Sequence, residues 1–403
     1  MIIHGHPAIY QQKLALTSPD SSMFKRTLNI YSLLKNKSYF LFGPRATGKS
    51  TLIKTQFPSS IPVINLLKND IYFRLSHAPG ELESIIMAYD DHSLVAIDEV
   101  QRIPELLNEV HRLIEDKGIR FLLTGSSARK LRRSQSNLLA GRARQAELFP
   151  LTSTEIPDFN LERYLRFGGI PMIYSSDDPN DDLYAYVNTY LKEEIQAEAL
   201  VRELPTFSRF LHFSALTSGD MINFSNISND VAVSASTVRE YYHILEDTFI
   251  GFMLPAWTKS TKRKAISTAK FYYFDIGVKN TLANIKSIDR HSDLYGKAFE
   301  HFIACELRAY ISYRRKHFSL SYWQSTSGFE VDFIIEDEIA VEVKACSRIH
   351  DKHLKGLKAL AEENIVQQYY LISHDTINRK IDGQHNVIYW QEFLERLWKD
   401  EIL

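Results

Sequence analysis

The stretch Gly43-Pro44-Arg45-Ala46-Thr47-Gly48-Lys49-Ser50 has the residue types and spacing to hold a polyphosphate. It follows an apolar run, Tyr39–Phe42, and precedes apolar residues at helical spacing, Leu52 and Ile53. Strand, glycine-rich loop and helix in that order make a phosphate-binding loop. The two glycines let backbone N–H groups turn inward without a Cβ in the way. The helix adds its partially positive N-terminus. Lys49 is placed to reach the β- and γ-phosphates, and the Ser50 hydroxyl to complete a Mg²⁺ shell. The pattern implies binding of a nucleoside triphosphate.

A second run, Leu94-Val95-Ala96-Ile97-Asp98-Glu99, ends in paired carboxylates. A buried strand with acids at its C-terminal tip puts them where ligands sit in open parallel sheets. Asp98 is the expected Mg²⁺ partner, and Glu99 the group that orients and deprotonates an attacking water. A third run, Arg120–Leu123, leads into Thr124-Gly125-Ser126-Ser127. Thr124 either meets the γ-phosphate or the lytic water, or caps the next helix. An arginine that stabilises the transferred phosphate, in cis or from a neighbouring subunit, could be Arg142, Arg144, Arg129 or Arg133. Arg142 is the favoured candidate over the alternative of solvated surface arginines.

A third group lies near the C-terminus. Residues 330–344, EVDFIIEDEIAVEVK, read as a hairpin turning at Glu336–Glu338. A turn centred on Asp337 sets Asp332 across from Glu342 and Glu330 across from Lys344. Period two then places those four on one face and Val331, Phe333, Val341 and Val343 in the core. Clustered acids beside a lysine suit one or two divalent metals that position a water against a phosphodiester, with Glu300 on the preceding helix as a further ligand. The alternative is an amphipathic hairpin with a solvated charged face.

These residues need elements to position them. The 403-residue chain suggests roughly two to four domains. Apolar content of 44% and charged content of 24% are those of a globular protein. Net charge is −1, so any nucleic-acid site must be a local patch. Two cysteines, Cys305 and Cys346, leave no disulfide framework and fit a reducing, cytoplasmic setting. No leader pattern opens the chain and no run of about 18 apolar residues crosses a membrane.

In order, residues 1–22 read as an arm. Residues 23–157 alternate apolar runs with amphipathic stretches, as in a parallel α/β sheet, with strands expected at Tyr39–Phe42, Ile61–Asn65, Leu94–Ile97, Phe121–Leu123 and Glu147–Leu151. Residues 158–217 read as a helical lid broken near Phe167–Pro171, with Tyr184, Val187, Leu191 and Ile195 as a core face. Residues 218–285 read as a winged helix: helices at Phe224–Val231 and Ser236–Thr248, the second capped by Ser236. A hairpin (Phe249–Leu254, Lys270–Phe274) follows, with the basic tip Lys259–Lys264. Thr237, Arg239, Glu240 and His243 are its exposed candidates. The basic tip suits phosphate contacts, although such modules also serve only to join subunits.

Taken together, FLFGPRATGKST, VAIDEVQRIPELLNEVH, FLLTGSSARKLRR, LLAGRARQAELFPLT, RFGGIP, YLKEEIQAEALVR, VREYYHILEDT, KFYYFDIGV and FEVDFIIEDEIAVEVKA resemble a family of prokaryotic AAA-type P-loop ATPases. The C-terminal domain of that family, of unknown function, is related to restriction-endonuclease folds. The resemblance implies an α/β protein: a parallel-sheet ATPase core, a helical and winged-helix middle, and an α/β restriction-endonuclease-like domain over 290–403. It implies ATP and Mg²⁺ at Gly43 to Ser50, Thr51 and Asp98, with Lys49 and Glu99 acting in hydrolysis. It also implies that Glu300, Asp332, Glu342 and Lys344 match the PD-(D/E)xK pattern, with Mg²⁺ or Mn²⁺ there and Val331 in place of proline. DNA and a homo-oligomer are the implied partners. The competing expectations are a nucleotide-state signalling or defence switch, and an adaptor with an inactive nuclease-like domain.

Overall fold

The computed structural model describes residues 24–129, 131, 139–191 and 204–403. Strands β1 (Ser38–Phe42), β2 (Val63–Asn65), β3 (Leu94–Asp98), β4 (Arg120–Gly125) and β5 (Ala143–Glu147) form one sheet in the order β2-β3-β4-β1-β5. Every pairing in it is parallel. β1, β3 and most of β4 are buried on both faces, which is why they read as unbroken apolar runs.

β5 does not. Its sequence, ARQAE, is mostly polar and leaves Arg144 and Gln145 exposed at the sheet edge. The expected strand at Glu147–Leu151 is therefore displaced. Instead the Leu148 N–H donates to the Phe42 carbonyl at the end of β1, and the Leu151 N–H to the Gly169 carbonyl. β2 likewise begins two residues later than expected.

The middle of the chain is helical. It includes α1 (Leu161–Phe167), α2 (Leu204–Leu216), α3 (Phe224–Val231), α4 (Ala235–Asp247) and α5 (Ile276–Leu282). Between α4 and α5 runs the antiparallel hairpin β6 (Gly251–Leu254) and β7 (Lys270–Tyr273). The cap of α4 is Ser234, which accepts from the Thr237 N–H, and not Ser236. Val187 and Leu191 are core residues, but Tyr184 is 65% exposed. The π-helical turn Tyr186–Leu191 rotates the register that a regular helix would have kept, and Ile195 lies outside the described residues.

Helix α6 (Asp293–Tyr313) opens the C-terminal region. Strands β8 (Leu320–Gln324), β9 (Glu330–Ile335), β10 (Ile339–Lys344), β11 (Gln368–Ser373), β12 (Arg379–Ile381) and β13 (His385–Tyr389) make a mixed sheet ordered β12-β13-β11-β10-β9-β8. The β9–β10 ladder pairs Ile339 with Ile335, Ala340 with Ile334 and Val341 with Phe333, a register centred on Asp337.

The hydrophobic core does not stop at the boundary between the two sheets. One continuous cluster joins Tyr39, Leu41, Leu52 and Leu148 to Phe299, Phe302, Phe333 and Val341. α6 is the connecting element: its buried residues pack on β10 as well as on the segment following β5. Among the described residues, no helix is long and apolar enough to cross a membrane.

Candidate nucleotide site and C-terminal acidic cluster

The phosphate loop is set by backbone conformation. Gly48 has φ 95° and opens the helix Lys49–Gln56, while Ala46 sits at φ 63°. Gly43 carries φ 151°, and a Cβ there would strike the Leu148 carbonyl oxygen. The glycine is required both by conformation and by the close crossing of the chain after β5.

Lys49 is buried, and its Nζ donates to the carbonyls of Gly43 (2.7 Å) and Pro44 (2.9 Å). The ammonium thus lies in the hollow of its own loop. Ser50 Oγ donates to Asp98 Oδ2 at 2.8 Å, so loop and strand tip meet as expected. Hydroxyl and carboxylate oxygens side by side are the donor set that Mg²⁺ takes, and these residues fit the ion. Arg45 and Thr51 are exposed; Pro44 and Thr47 are buried.

Thr124 makes a contact that the sequence did not suggest. Its Oγ1 donates to Asp98 Oδ1 and accepts from the Glu99 N–H at 3.1 Å. It joins the two acids to the neighbouring strand. Glu99 adopts φ 64°, which swings its carboxylate off the strand direction. Gln101 Nε2 holds that carboxylate at 2.5 Å and also donates to Ser126 Oγ at 3.1 Å. Sequence reasoning missed Gln101; its place two residues beyond the acid pair was the available signal.

Arg142 is not brought to this site in its own chain. β5 begins at Ala143, level with the first residue of β1, so Arg142 lies at the sheet edge opposite the loop. There its Nε pairs with Glu115 at 2.5 Å. Arg129 is buried and pairs with Glu240 (2.5 Å) and Asp247 (3.5 Å) of α4. Arg144 is exposed on β5, and Arg133 lies outside the described residues.

Arg26, which the sequence did not single out, does reach the loop. Its Nη1 donates to the Thr47 carbonyl and its Nη2 to the Phe149 carbonyl, each at 2.7 Å. Nε pairs with Glu155 at 3.1 Å, and Nη2 also meets the Tyr313 hydroxyl of α6 at 3.1 Å. On the other side of the loop, the Tyr186 hydroxyl donates to the Arg45 carbonyl at 3.2 Å. Ala46 packs on the core of the helical region.

Several of the expected DNA-facing groups, though mostly exposed, pair within the molecule. Glu240 of α4 is on Arg129, and Arg239 lies over the Phe224 ring at 4.8 Å. In the basic tip, the Glu363 carboxylate accepts from the N–H groups of Thr261 (2.7 Å), Lys262 (2.7 Å) and Arg263 (3.0 Å). Burial works against that charge, but the three amides hold Glu363 below its ordinary range. Arg263 pairs with Glu362 at 2.7 Å and Lys259 with Asp337 at 2.6 Å. The tip is a brace against the C-terminal sheet. A local charge run cannot reveal carboxylates that lie about a hundred residues away.

In the C-terminal sheet, Asp332 and Glu342 are buried. Lys344 Nζ is 2.5 Å from Glu342 and 3.9 Å from Asp332, and the Val343 N–H donates to Asp332 at 2.7 Å. Glu330 is drawn to Lys270 of β7 at 2.7 Å, and Glu300 lies 3.6 Å from the same ammonium. Tyr272 donates to Glu300 at 2.6 Å. Burial, then the Asp332 charge, push Glu300 up to about 7, and the same causes push Glu342 well above the carboxylate range. Burial opposes the Lys270 charge, yet Glu300 and Glu330 carry its ammonium above its ordinary value. Among the described residues, no three His, Cys, Asp or Glu side chains are disposed as they stand to hold a metal ion.

Residues 35–157 match the family model of an AAA domain. Residues 158–289 and 295–393 match two models, each described as a domain of unknown function. The chain is similar to two uncharacterized proteins of Methanocaldococcus jannaschii. One is 22% identical over 92% of this chain and 86% of the relative; the other is 23% identical, over 89% and 85%. An uncharacterized protein of Haemophilus influenzae is 24% identical, over 74% and 79%. Among solved structures, the Aeropyrum pernix ORC1 protein in complex with DNA aligns over 62% of this chain and 87% of that one, at 12% identity and TM-score 0.26. A Pyrococcus horikoshii signal transduction ATPase with numerous domains aligns over 73% and 48%, at 16% identity and TM-score 0.26. The first sheet lies in the stretch that matches the AAA-domain model, and a C-terminal mixed sheet follows it.

Proposed function

We propose that the chain is a Mg²⁺-dependent ATPase whose nucleotide state is passed to the regions on either side of the phosphate loop. The observation that carries this reading is the hydrogen bond from Ser50 to Asp98, with Glu99 fixed beside it by Gln101 and Thr124. Backbone amides of Gly43 to Ser50 and the Thr51 end of the helix bind the phosphates. Lys49 exchanges its bonds to the loop carbonyls for bonds to phosphate oxygens, at little cost because the ammonium already sits in the hollow. Ser50 and Asp98 would hold Mg²⁺, which would supply positive charge against the phosphates. Glu99 takes the proton of the attacking water, and Gln101 keeps its carboxylate aimed.

Transmission follows from the two grips on the loop. Arg45 and Ala46 touch the helical region, and Thr47 touches α6 through Arg26. Calorimetry with ATP tests the reading: saturable heat in the presence of Mg²⁺ is expected, and its absence together with absent turnover overturns it.

A second reading concerns the C-terminal cluster. Glu342 Oε2 is a buried carboxylate oxygen with no hydrogen-bond partner, which favours a cation among Glu300, Asp332 and Glu342. In that reading Mg²⁺ or Mn²⁺ would be held there, Lys344 would steady a phosphodiester, and DNA would be the substrate class. Manganese titration with Asp332→Asn as control tests it.

A further inference from the structure

The C-terminal acids are met by a lysine from another part of the chain. Lys270 belongs to β7, the hairpin strand that precedes the C-terminal region, and its side chain is 5% exposed. Its ammonium reaches Glu330 at 2.7 Å and Glu300 at 3.6 Å, and lies 4.9 Å from the Tyr322 ring centroid. The hairpin itself is firmly seated: Phe252, Leu254 and Tyr272 belong to the core shared by the two sheets.

Charge does not balance in this cluster. Four carboxyl groups, those of Glu300, Glu330, Asp332 and Glu342, face the two ammonium groups of Lys270 and Lys344, a deficit of cations that protons on the raised Glu300 and Glu342 cover in part. Glu342 Oε2 is the visible sign of that deficit, since a buried carboxylate oxygen without a partner forfeits its solvation for nothing. A divalent cation would supply what is missing. The obstacle is Lys270, whose ammonium lies among these acids and already pairs with Glu330 and Glu300.

We propose that Lys270 is a built-in cation that keeps the C-terminal acidic site closed, so that its pairing with Glu330 and Glu300 and the binding of a divalent ion are mutually exclusive. The inference rests on reading these acids as a cation site, and it needs no nucleotide. A protein-borne ammonium in place of a metal stabilises the acids while leaving the site unable to polarise a phosphate. The hairpin that carries it is joined to α4, which is bound through Glu240 and Asp247 to Arg129 of the AAA-type domain. The plug is therefore tied to the nucleotide-binding half as well as to the C-terminal sheet, on which its hairpin packs.

The test uses the full chain, without nucleotide, and Mn²⁺ alone as probe, read by electron paramagnetic resonance. Lys270→Met should bind Mn²⁺ at least about tenfold more tightly than the wild type, and adding Glu342→Gln should abolish that gain. Equal, Glu342-dependent affinity in wild type and Lys270→Met overturns the plug but keeps the cation site. No Glu342-dependent binding in either overturns both. Should Lys270→Met fail to fold, acylation of the wild type decides the matter by mass spectrometry. Lys270 should be protected without Mn²⁺ and labelled with it, and unchanged protection at a Mn²⁺ level that saturates a Glu342-dependent site overturns the proposal.

Discussion

Arg26 donates through one guanidinium nitrogen to the Thr47 carbonyl of the phosphate loop and through another to the Tyr313 hydroxyl at the end of α6. One buried side chain thus holds the nucleotide loop against the helix that opens the C-terminal domain. Arg26→Ala should cost about 3–5 kcal/mol, because it leaves the buried Glu155 carboxylate without its countercharge, held only by the N–H groups of Thr27 and Thr152. Tyr313→Phe is the gentler probe. It removes a hydroxyl that meets Arg26 and accepts from the Phe149 N–H, and should cost about 1–2 kcal/mol in urea unfolding while weakening ATP binding several-fold.

Lys49→Ala should abolish ATP binding by calorimetry. Glu99→Gln should bind ATP normally and lose about 10²–10⁴-fold in turnover. Gln101→Ala should fall between, since it frees the Glu99 carboxylate without removing it. Equal turnover in Glu99→Gln and wild type would remove Glu99 from the chemistry.

Two glycines should respond in opposite ways to alanine. A Cβ on Gly277 would drive into the Phe167 carbonyl, where α5 lies against the end of α1, so Gly277→Ala should cost about 3 kcal/mol. Gly296 lies inside α6 with open space around it, so Gly296→Ala should stabilise by about 0.5–1 kcal/mol. Thermal melts read both.

Glu306 makes stability depend on pH. Its carboxylate joins three segments, accepting from the Ser153 N–H at 2.6 Å and from Trp398 Nε1 at 2.8 Å. Burial raises its pKa from 4.5 to about 7. The folded protein therefore holds this proton more tightly than the unfolded chain. Stability from it is complete below pH 4.5 and is lost as pH rises through 7, on the order of 3 kcal/mol. Asp275 and Glu300 are shifted in the same direction, so the reading is the difference between wild type and Glu306→Gln. Urea midpoints from pH 4.5 to 7.5 should fall less steeply in the variant.

Lys262 and Arg263 offer a test of the basic tip. Since Lys262 reaches the Glu362 carbonyl and Arg263 the Glu362 carboxylate, replacing both with alanine should lower the melting temperature. The salt dependence of DNA binding should stay unchanged. A slope flatter by about one per lost charge would show that these side chains meet phosphate after all.

What could be read in the sequence were features whose parts are close along the chain. The loop from Gly43 to Ser50, the acids at the tip of β3 and the β9–β10 register all depend on neighbours within a few residues. What was hidden depends on distant partners. Arg26 meets Tyr313, Lys270 meets Glu330, and Glu363 takes up the amides of the basic tip. β5 was misplaced because an edge strand need not be apolar, and Arg142 falls beside the start of β1, away from the loop of its own chain.

The core that runs unbroken from β1 through α6 to β10 also governs how the chain can be cut. A fragment ending before residue 290 would bare the faces that Phe299, Phe302 and Tyr310 now cover, and would be prone to clump. Deletion experiments on either half would report on misfolding rather than on a separated activity. Point substitutions are the tool that this architecture permits.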